Sequence, residues 1–240
     1  MNSDIIKQLT KEIEGKSLAD SLRIVADVVQ GKVRFSSAFG QEDQVIIDAI
    51  CRHNINIEVF TLDTGRLFPE TYQLIDHTRA RYNKTIKIFY PQANELEDLT
   101  TKKGMHSFYD SPENRKECCF IRKVEPLKRA LSSTQVWVTG LRSDQSTNRQ
   151  RFPLLEWDEG HQVVKFNPII HWSIDEVLDY LKAYKVPYNS LHDKGFISIG
   201  CAPCTRAIKP GEHPRAGRWW WESSQKECGL HQVKSDSESI

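Results

Sequence analysis

A chain of 240 residues is long enough to bury one sizeable α/β core, or at most two small ones, and we expect a single domain over 1–234. With 33 Lys and Arg against 32 Asp and Glu, the formal charge of +1 gives no global field favouring nucleic acid or an anionic membrane, so any anion site must be built locally. Met1-Asn2-Ser3-Asp4 lacks a basic or apolar leader and no apolar run nears the roughly 18 residues of a membrane span, which predicts a soluble, cytoplasmic protein whose six cysteines are ligands, nucleophiles or buried apolar residues rather than disulfides.

Apolar residues at Ile5, Ile6, Leu9, Ile13, Leu18, Leu22, Val25 and Val28 recur with helical spacing and break near Gly15, predicting two helices. Val33 to Ser37 reads as a strand, followed by the loop Ala38-Phe39-Gly40 and a helix through Val45, Ile46, Ile47 and Ile50. Such a loop can turn amides and a helix N-terminus towards a phosphate; with a single glycine, an ordinary strand-to-helix turn is the stronger reading of that motif alone. Ile57 to Leu62 is a second strand ending in Asp63-Thr64-Gly65-Arg66, Pro69 opens a helix through Tyr72, Leu74, Ile75 and Arg79, and Ile86 to Tyr90 is a third strand. Strands alternating with helices predict a Rossmann-like parallel sheet with helices on both faces. Its ligands should sit beyond the carboxyl ends of the strands, where both polar loops fall. At that edge Asp63 and Arg66 fit either ligand contacts or a solvated pair capping a helix.

A helix is expected within Pro91 to Gly104. Another runs from Asn114 towards Leu127, carrying the adjacent Cys118 and Cys119 with Arg122 and Lys123 one turn on. Gln135 to Gly140 is a further strand whose loop, Gly140 to Ser146, precedes Arg149 and Arg151. With Arg142 these arginines can grip an oxyanion, although charge in a loop is more often solvation. Val163 to Asn167 is another strand, and Ser173 with Glu176 forms a capping box for a helix that Pro187 stops.

The stretch from Ile199 to His231 holds half of the cysteines. Cys201-Ala-Pro-Cys204 can chelate soft metal or switch as a dithiol, and Cys118 with Cys119 would bring the set to four thiolates, the number that tetrahedral zinc or a cubane cluster requires. A tandem Cys-Cys suits zinc poorly, and Pro203 stiffens the turn, so iron-sulfur is preferred. Cys228 remains over, between Lys226 and His231. Nearby cations can lower a thiol's pKa, though local composition alone favours an inert surface cysteine there. Cys51, within Ile46-Ile47-Ile50, reads as a buried hydrophobe; Arg215 and Arg218 can present guanidiniums to an oxyanion; residues 235–240 are polar enough for a disordered tail.

Taken together, Gly40-x-Glu42-Asp43-Gln44-Val45, Leu62-Asp63-Thr64-Gly65-Arg66, Cys118-Cys119-x-x-Arg122-Lys123, Thr139-Gly140-x-Arg142-x-Asp144-Gln145-Ser146, Cys201-Ala-Pro-Cys204, Arg215-Ala-Gly-Arg218 and Lys226-Glu-Cys228-Gly-Leu-His231 cover residues 30–231. In them the chain resembles the sulfonucleotide reductases, specifically the assimilatory adenylyl-sulfate reductase branch that carries a 4Fe-4S cluster. The resemblance implies one such cluster on Cys118, Cys119, Cys201 and Cys204, and Cys228, on a mobile C-terminal catalytic segment at about 205–234, as the nucleophile. That thiolate would attack the sulfur of adenosine 5'-phosphosulfate (APS), releasing AMP and leaving an S-sulfocysteine from which thioredoxin frees sulfite. It further implies that Ser37 and Gly140 hold the nucleotide, that Leu62, Gly65 and Arg66 line the adenosine pocket, and that Lys123, Arg142, Arg215, Arg218 and His231 serve the sulfate and phosphate. Nucleic acid and membranes are not expected as partners, and a homo-oligomer stays open. The single glycine of the loop Ser36 to Gly40 argues against ATP hydrolysis. Reduction of the 3'-phosphorylated nucleotide (PAPS) is the nearest rival, a zinc-stabilised nucleotide- or RNA-binding protein a more distant one, and an ATP-using tRNA-thiolating enzyme the third.

Overall fold

The computed structural model describes residues 2–145 and 147–222. Two helices open it, α1 (Asn2–Ile13) and α2 (Leu18–Val28), and Ser17 caps α2 by accepting the Asp20 amide at 3.2 Å. Six strands follow: β1 (Lys32–Ser36), β2 (Glu58–Leu62), β3 (Ile86–Phe89), β4 (Thr134–Val138), β5 (Leu155–Asp158) and β6 (Val163–Phe166). They form one sheet in the order β3-β2-β1-β4-β6-β5, parallel except for β5, which runs antiparallel to β6 with Leu155 opposite Phe166. The sequence reading contains no β5: four residues after a proline are too short to show a period.

Register explains the two faces. Phe35 lies beside Val59 and Val138, and Val138 beside Phe166, so an apolar row crosses the sheet and packs with α1, α2 and α3 (Gln41–Arg52) into the main core. The alternate residues Arg34, Trp137 and Lys165 face the other way, with Phe60, towards α7 (Glu125–Leu131). Arg34 is buried there, donating to Glu58 at 2.8 Å and to the Ala130 carbonyl at 2.6 Å, which fixes the end of α7 on the sheet.

Between β2 and β4 lie α4 (Pro69–Tyr82), α5 (Ala93–Lys103) and α6 (Pro112–Cys119), and α8 (Ile174–Ala183) follows β6. A single π turn, Phe120–Val124, joins α6 to α7. The predicted capping box is present: Ser173 accepts the Glu176 amide at 3.2 Å and Glu176 accepts the Ser173 amide at 2.7 Å. The helix it opens stops at Ala183, before Pro187, where Lys185 turns left-handed at φ 51°. A separate small core of Leu99, Phe108, Cys118, Cys201, Cys204 and Trp219 lies apart from the sheet. Among the described residues no helix is long and apolar enough to cross a membrane.

The chain leaves β1 in one direction to build β2 and β3, then returns to the other side of β1 for β4 and β6. The strand order therefore reverses between β1 and β4, where loops diverge and leave a crevice at the carboxyl edge.

Candidate active site

A cavity of about 730 Å³ occupies that crevice. On the β1 side it is bounded by Ser37, Ala38 and Gly40. Phe39, fully buried between them, adopts φ 60°, a conformation that glycine would take without strain. Asp43, in the first turn of α3, stabilises the bend: its Oδ2 accepts the Ala38 amide at 2.7 Å and the Gly40 amide at 3.3 Å, while Ser37 Oγ accepts the Phe39 amide at 3.0 Å. Three amides that a phosphate could have used are thus engaged within the loop. Burial first, and Glu42 second, push the Asp43 carboxyl up to about 7, against the two amides and Arg149. Gly140 closes against the same carboxyl; a Cβ there would lie 2.1 Å from Asp43 Oδ1.

Arg142 is a strut. Its Nε donates to Glu42 at 3.0 Å, its Nη1 to Asp144 and to the Trp172 carbonyl, and Gln145 Nε2 donates to the same Glu42 oxygen at 2.9 Å. The remaining predicted cations stand on another wall. Lys123 is aligned by the π turn, and Arg215 and Arg218 come from the last described loop. Arg218 donates to the Ile199 carbonyl at 3.3 Å and lies 4.8 Å over the Trp219 ring. Gly200 leaves it room, since a Cβ there would meet Arg218 Nη2 at 2.3 Å. Arg218 Nε is buried without a partner.

Beside this wall lies a second cavity of about 20 Å³, bordered by all four cysteines and by Arg66, Arg122 and Lys123 among others. Cys118 and Cys119 end α6, and Cys201 precedes a single 3-10 turn, Ala202–Cys204, that Cys204 ends and that is held in place by the Ala202 amide on the Arg66 carbonyl at 2.8 Å. None of the four is in a disulfide. Burial, with Cys201 and Cys119 adding to it, pushes Cys204 up to about 12; Cys201 moves down, because Lys123, the Thr64 hydroxyl at 3.3 Å and Arg218 outweigh its burial. Around the same small core the donors Arg66 Nη1, Arg122 Nε, Trp219 Nε1 and Trp221 Nε1 are buried without acceptors. Among the described residues no three His, Cys, Asp or Glu side chains close on one metal ion. The four sulfurs enclose a space, and the donor set around them suits a negatively charged occupant that spans it.

Of the residues singled out in the sequence, Ser37, Leu62, Lys123, Gly140, Arg142, Arg215 and Arg218 line the large cavity. Gly65 does not; it forms the turn after β2 at φ 69°, its amide on Asp63 at 2.7 Å. Arg66 lies on the cysteine side. Arg149 reaches the large cavity and Arg151 does not. Cys228 and His231 lie outside the described residues. Several cavity residues carried no site assignment from sequence, among them His192 and Trp137. His192 Nε2 is buried and unpartnered, and burial holds the imidazole below its usual range. A lone histidine in a loop gives no pattern to find; Trp137 was legible only as a strand residue.

Comparison with known proteins adds three findings. The family model described as the phosphoadenosine phosphosulfate reductase domain matches residues 32–207. Adenosine 5'-phosphosulfate reductase of Sinorhizobium fredii (strain NGR234) is 47% identical over 235 residues, covering 98% of this chain and 93% of the relative, and that of Neisseria meningitidis serogroup B is 50% identical over 200 residues, covering 82% and 81%. Among solved structures, phosphoadenylyl-sulfate reductase of Candida auris in a phosphate complex superimposes with a TM-score of 0.71 at 29% identity, covering 85% of this chain and 96% of that one.

Proposed function

This chain belongs to the phosphoadenosine phosphosulfate reductase family, and we propose on that premise that it reduces adenosine 5'-phosphosulfate to sulfite and AMP with electrons from a thioredoxin-type dithiol. The substrate choice follows its likeness to the two bacterial reductases named for APS. The observation that carries the reading is the position of Lys123, which borders both the large cavity and the four-cysteine cavity. An ammonium there, with Arg215 and Arg218 on the same wall, neutralises a phosphosulfate lying between the two compartments.

In the proposed reaction the Cys228 thiolate attacks the sulfate sulfur. An S–S bond forms, the O–S bond to the phosphate breaks, and AMP departs with the electron pair. One thiolate of the reductant then attacks Cys228 Sγ and expels sulfite; its second thiol resolves the mixed disulfide, so that two thiols are oxidised as sulfur goes from the sulfate to the sulfite level. Lys123, Arg215 and Arg218 hold the departing phosphate oxygen's charge, and the Ser36–Gly40 loop and Leu62 bound the nucleotide. Cys118, Cys119, Cys201 and Cys204 fit one 4Fe-4S cluster, because the four sulfurs border one small cavity with the unpartnered buried donors Arg66 Nη1 and Arg122 Nε beside them. When bound, the cluster supplies fixed charge and cross-linking beside the sulfate rather than electrons.

The test is mass spectrometry of the purified protein after mixing with APS alone. An added SO3 group on the Cys228 peptide, released by reduced thioredoxin and absent from Cys228→Ser, is expected. Sulfite production by Cys228→Ser at more than a few per cent of wild type would remove that thiol from the mechanism, and faster sulfite release from PAPS than from APS would reverse the substrate assignment.

A further inference from the structure

We propose that Arg66 is a positioning residue for the four-cysteine site, one that donates to the occupant of that site and sets how firmly it is held, rather than a nucleotide contact. This rests on the iron-sulfur reading above. By sequence Arg66 sits at the ligand edge of β2, four residues from Leu62, which does line the nucleotide cavity. The backbone redirects it. Gly65 takes φ 69° and the Arg66 amide donates to Thr64 Oγ1 at 3.2 Å, so that Leu62, Thr64 and Leu67 face the large cavity while the Arg66 side chain faces the cysteines.

Two contacts hold the guanidinium there and a third anchors its backbone. It lies 4.6 Å over the Phe108 ring, one Nη donates to the Met105 carbonyl, and the residue's own carbonyl accepts the Ala202 amide at 2.8 Å, joining it to the Cys201–Cys204 turn. A side chain fixed in this way does not swing into the nucleotide cavity without losing the ring and the carbonyl together. Its other Nη is buried and has no acceptor. Leaving a charged donor dry and unmatched is costly, and that cost is relieved when an anion fills the cavity. The stacked plane with two outward N–H groups is particular to arginine; a lysine would bring the charge without the stack or the second donor.

The experiment uses full-length protein prepared without air, as wild type, Arg66→Lys and Arg66→Met. Iron and sulfide per chain, the rate at which absorbance near 400 nm bleaches under an iron chelator, the potential of the cluster, and KM for APS are measured. Both variants are expected to bleach about 10-fold faster than wild type, the usual size of a lost outer-shell contact. Arg66→Met, having lost a nearby cation, is expected to be harder to reduce, and KM should stay within about twofold of wild type. An Arg66→Met protein with native circular dichroism that assembles no cluster supports the assignment as well, and if that variant does not fold, Arg66→Lys decides. Wild-type bleaching and potential in both variants, together with a KM raised about 10-fold, return Arg66 to the nucleotide site and overturn the inference while the cluster reading stands. Wild-type protein lacking iron and sulfide overturns both.

Discussion

The floor of the large cavity is decided by single atoms. At Gly140 the alpha hydrogen that a methyl would replace faces a carboxyl that cannot retreat, because Asp43 is buried and tied to the Ala38 and Gly40 amides. Gly140→Ala should therefore cost about 1–3 kcal/mol of stability, the range of overpacked sites, and raise KM for the nucleotide more than it lowers kcat. Urea unfolding and steady-state kinetics would show it, and an unchanged midpoint would mean that the loop yields. At this scale the sequence was legible where chemistry is carried by residue type. Cysteines at 118, 119, 201 and 204 suggested a shared site before any fold was known, and they border one cavity. Direction was not legible: Arg142 and Arg66 are both arginines at the predicted edge, yet one braces Glu42 and the other turns to the thiols, as ion pairing and one positive φ dictate.

At the scale of elements, the N-terminus of α3 carries a pH dependence. Asp43 ionises near its ordinary 3.8 in the unfolded chain and at about 7 in the folded one. Between those values the folded protein holds a proton that the unfolded chain has released, so this group's contribution is complete below about pH 4 and declines until about pH 7. Asp43→Asn imitates the protonated form. Its stability relative to wild type should rise from about pH 4 to about pH 7 and then level off, as denaturant titrations across that range would record. A difference independent of pH would mean an ordinary carboxyl. The helices and parallel strands followed from apolar period and caps, with ends a residue or a few from the reading, because buried faces impose those periods. The antiparallel β5 and the π turn at Phe120–Val124 did not, since a four-residue edge strand shows no alternation and a widened turn looks helical in sequence.

Across the whole molecule Cys118, Cys119, Cys201 and Cys204 lie outside the core that the sheet organises. Leu99, Phe108 and Trp219 pack with them in a separate cluster, while Phe35, Val59, Val138 and Phe166 pack with α1, α2 and α3. Stripping iron from the proposed cluster should accordingly loosen one part and spare the other. Limited proteolysis of chelated protein is expected to cut first within 105–124 and 195–222 and to leave 32–62 and 134–166 intact. Uniform cutting would show that the two cores melt together. The doubly covered sheet and its crevice were predictable from alternating elements, whereas the position of the thiol cavity against the large cavity depends on how α6 meets a loop more than 80 residues away. That separation along the chain has a consequence during synthesis. Cys118 and Cys119 leave the ribosome roughly 80 residues ahead of Cys201 and Cys204, which at about 5–20 residues per second is on the order of 10 s. For that interval the nascent polypeptide presents two neighbouring sulfurs with nothing to share, so any cellular factor that delivers inorganic atoms to the finished quartet has to wait until β4, β5, β6 and α8 have emerged.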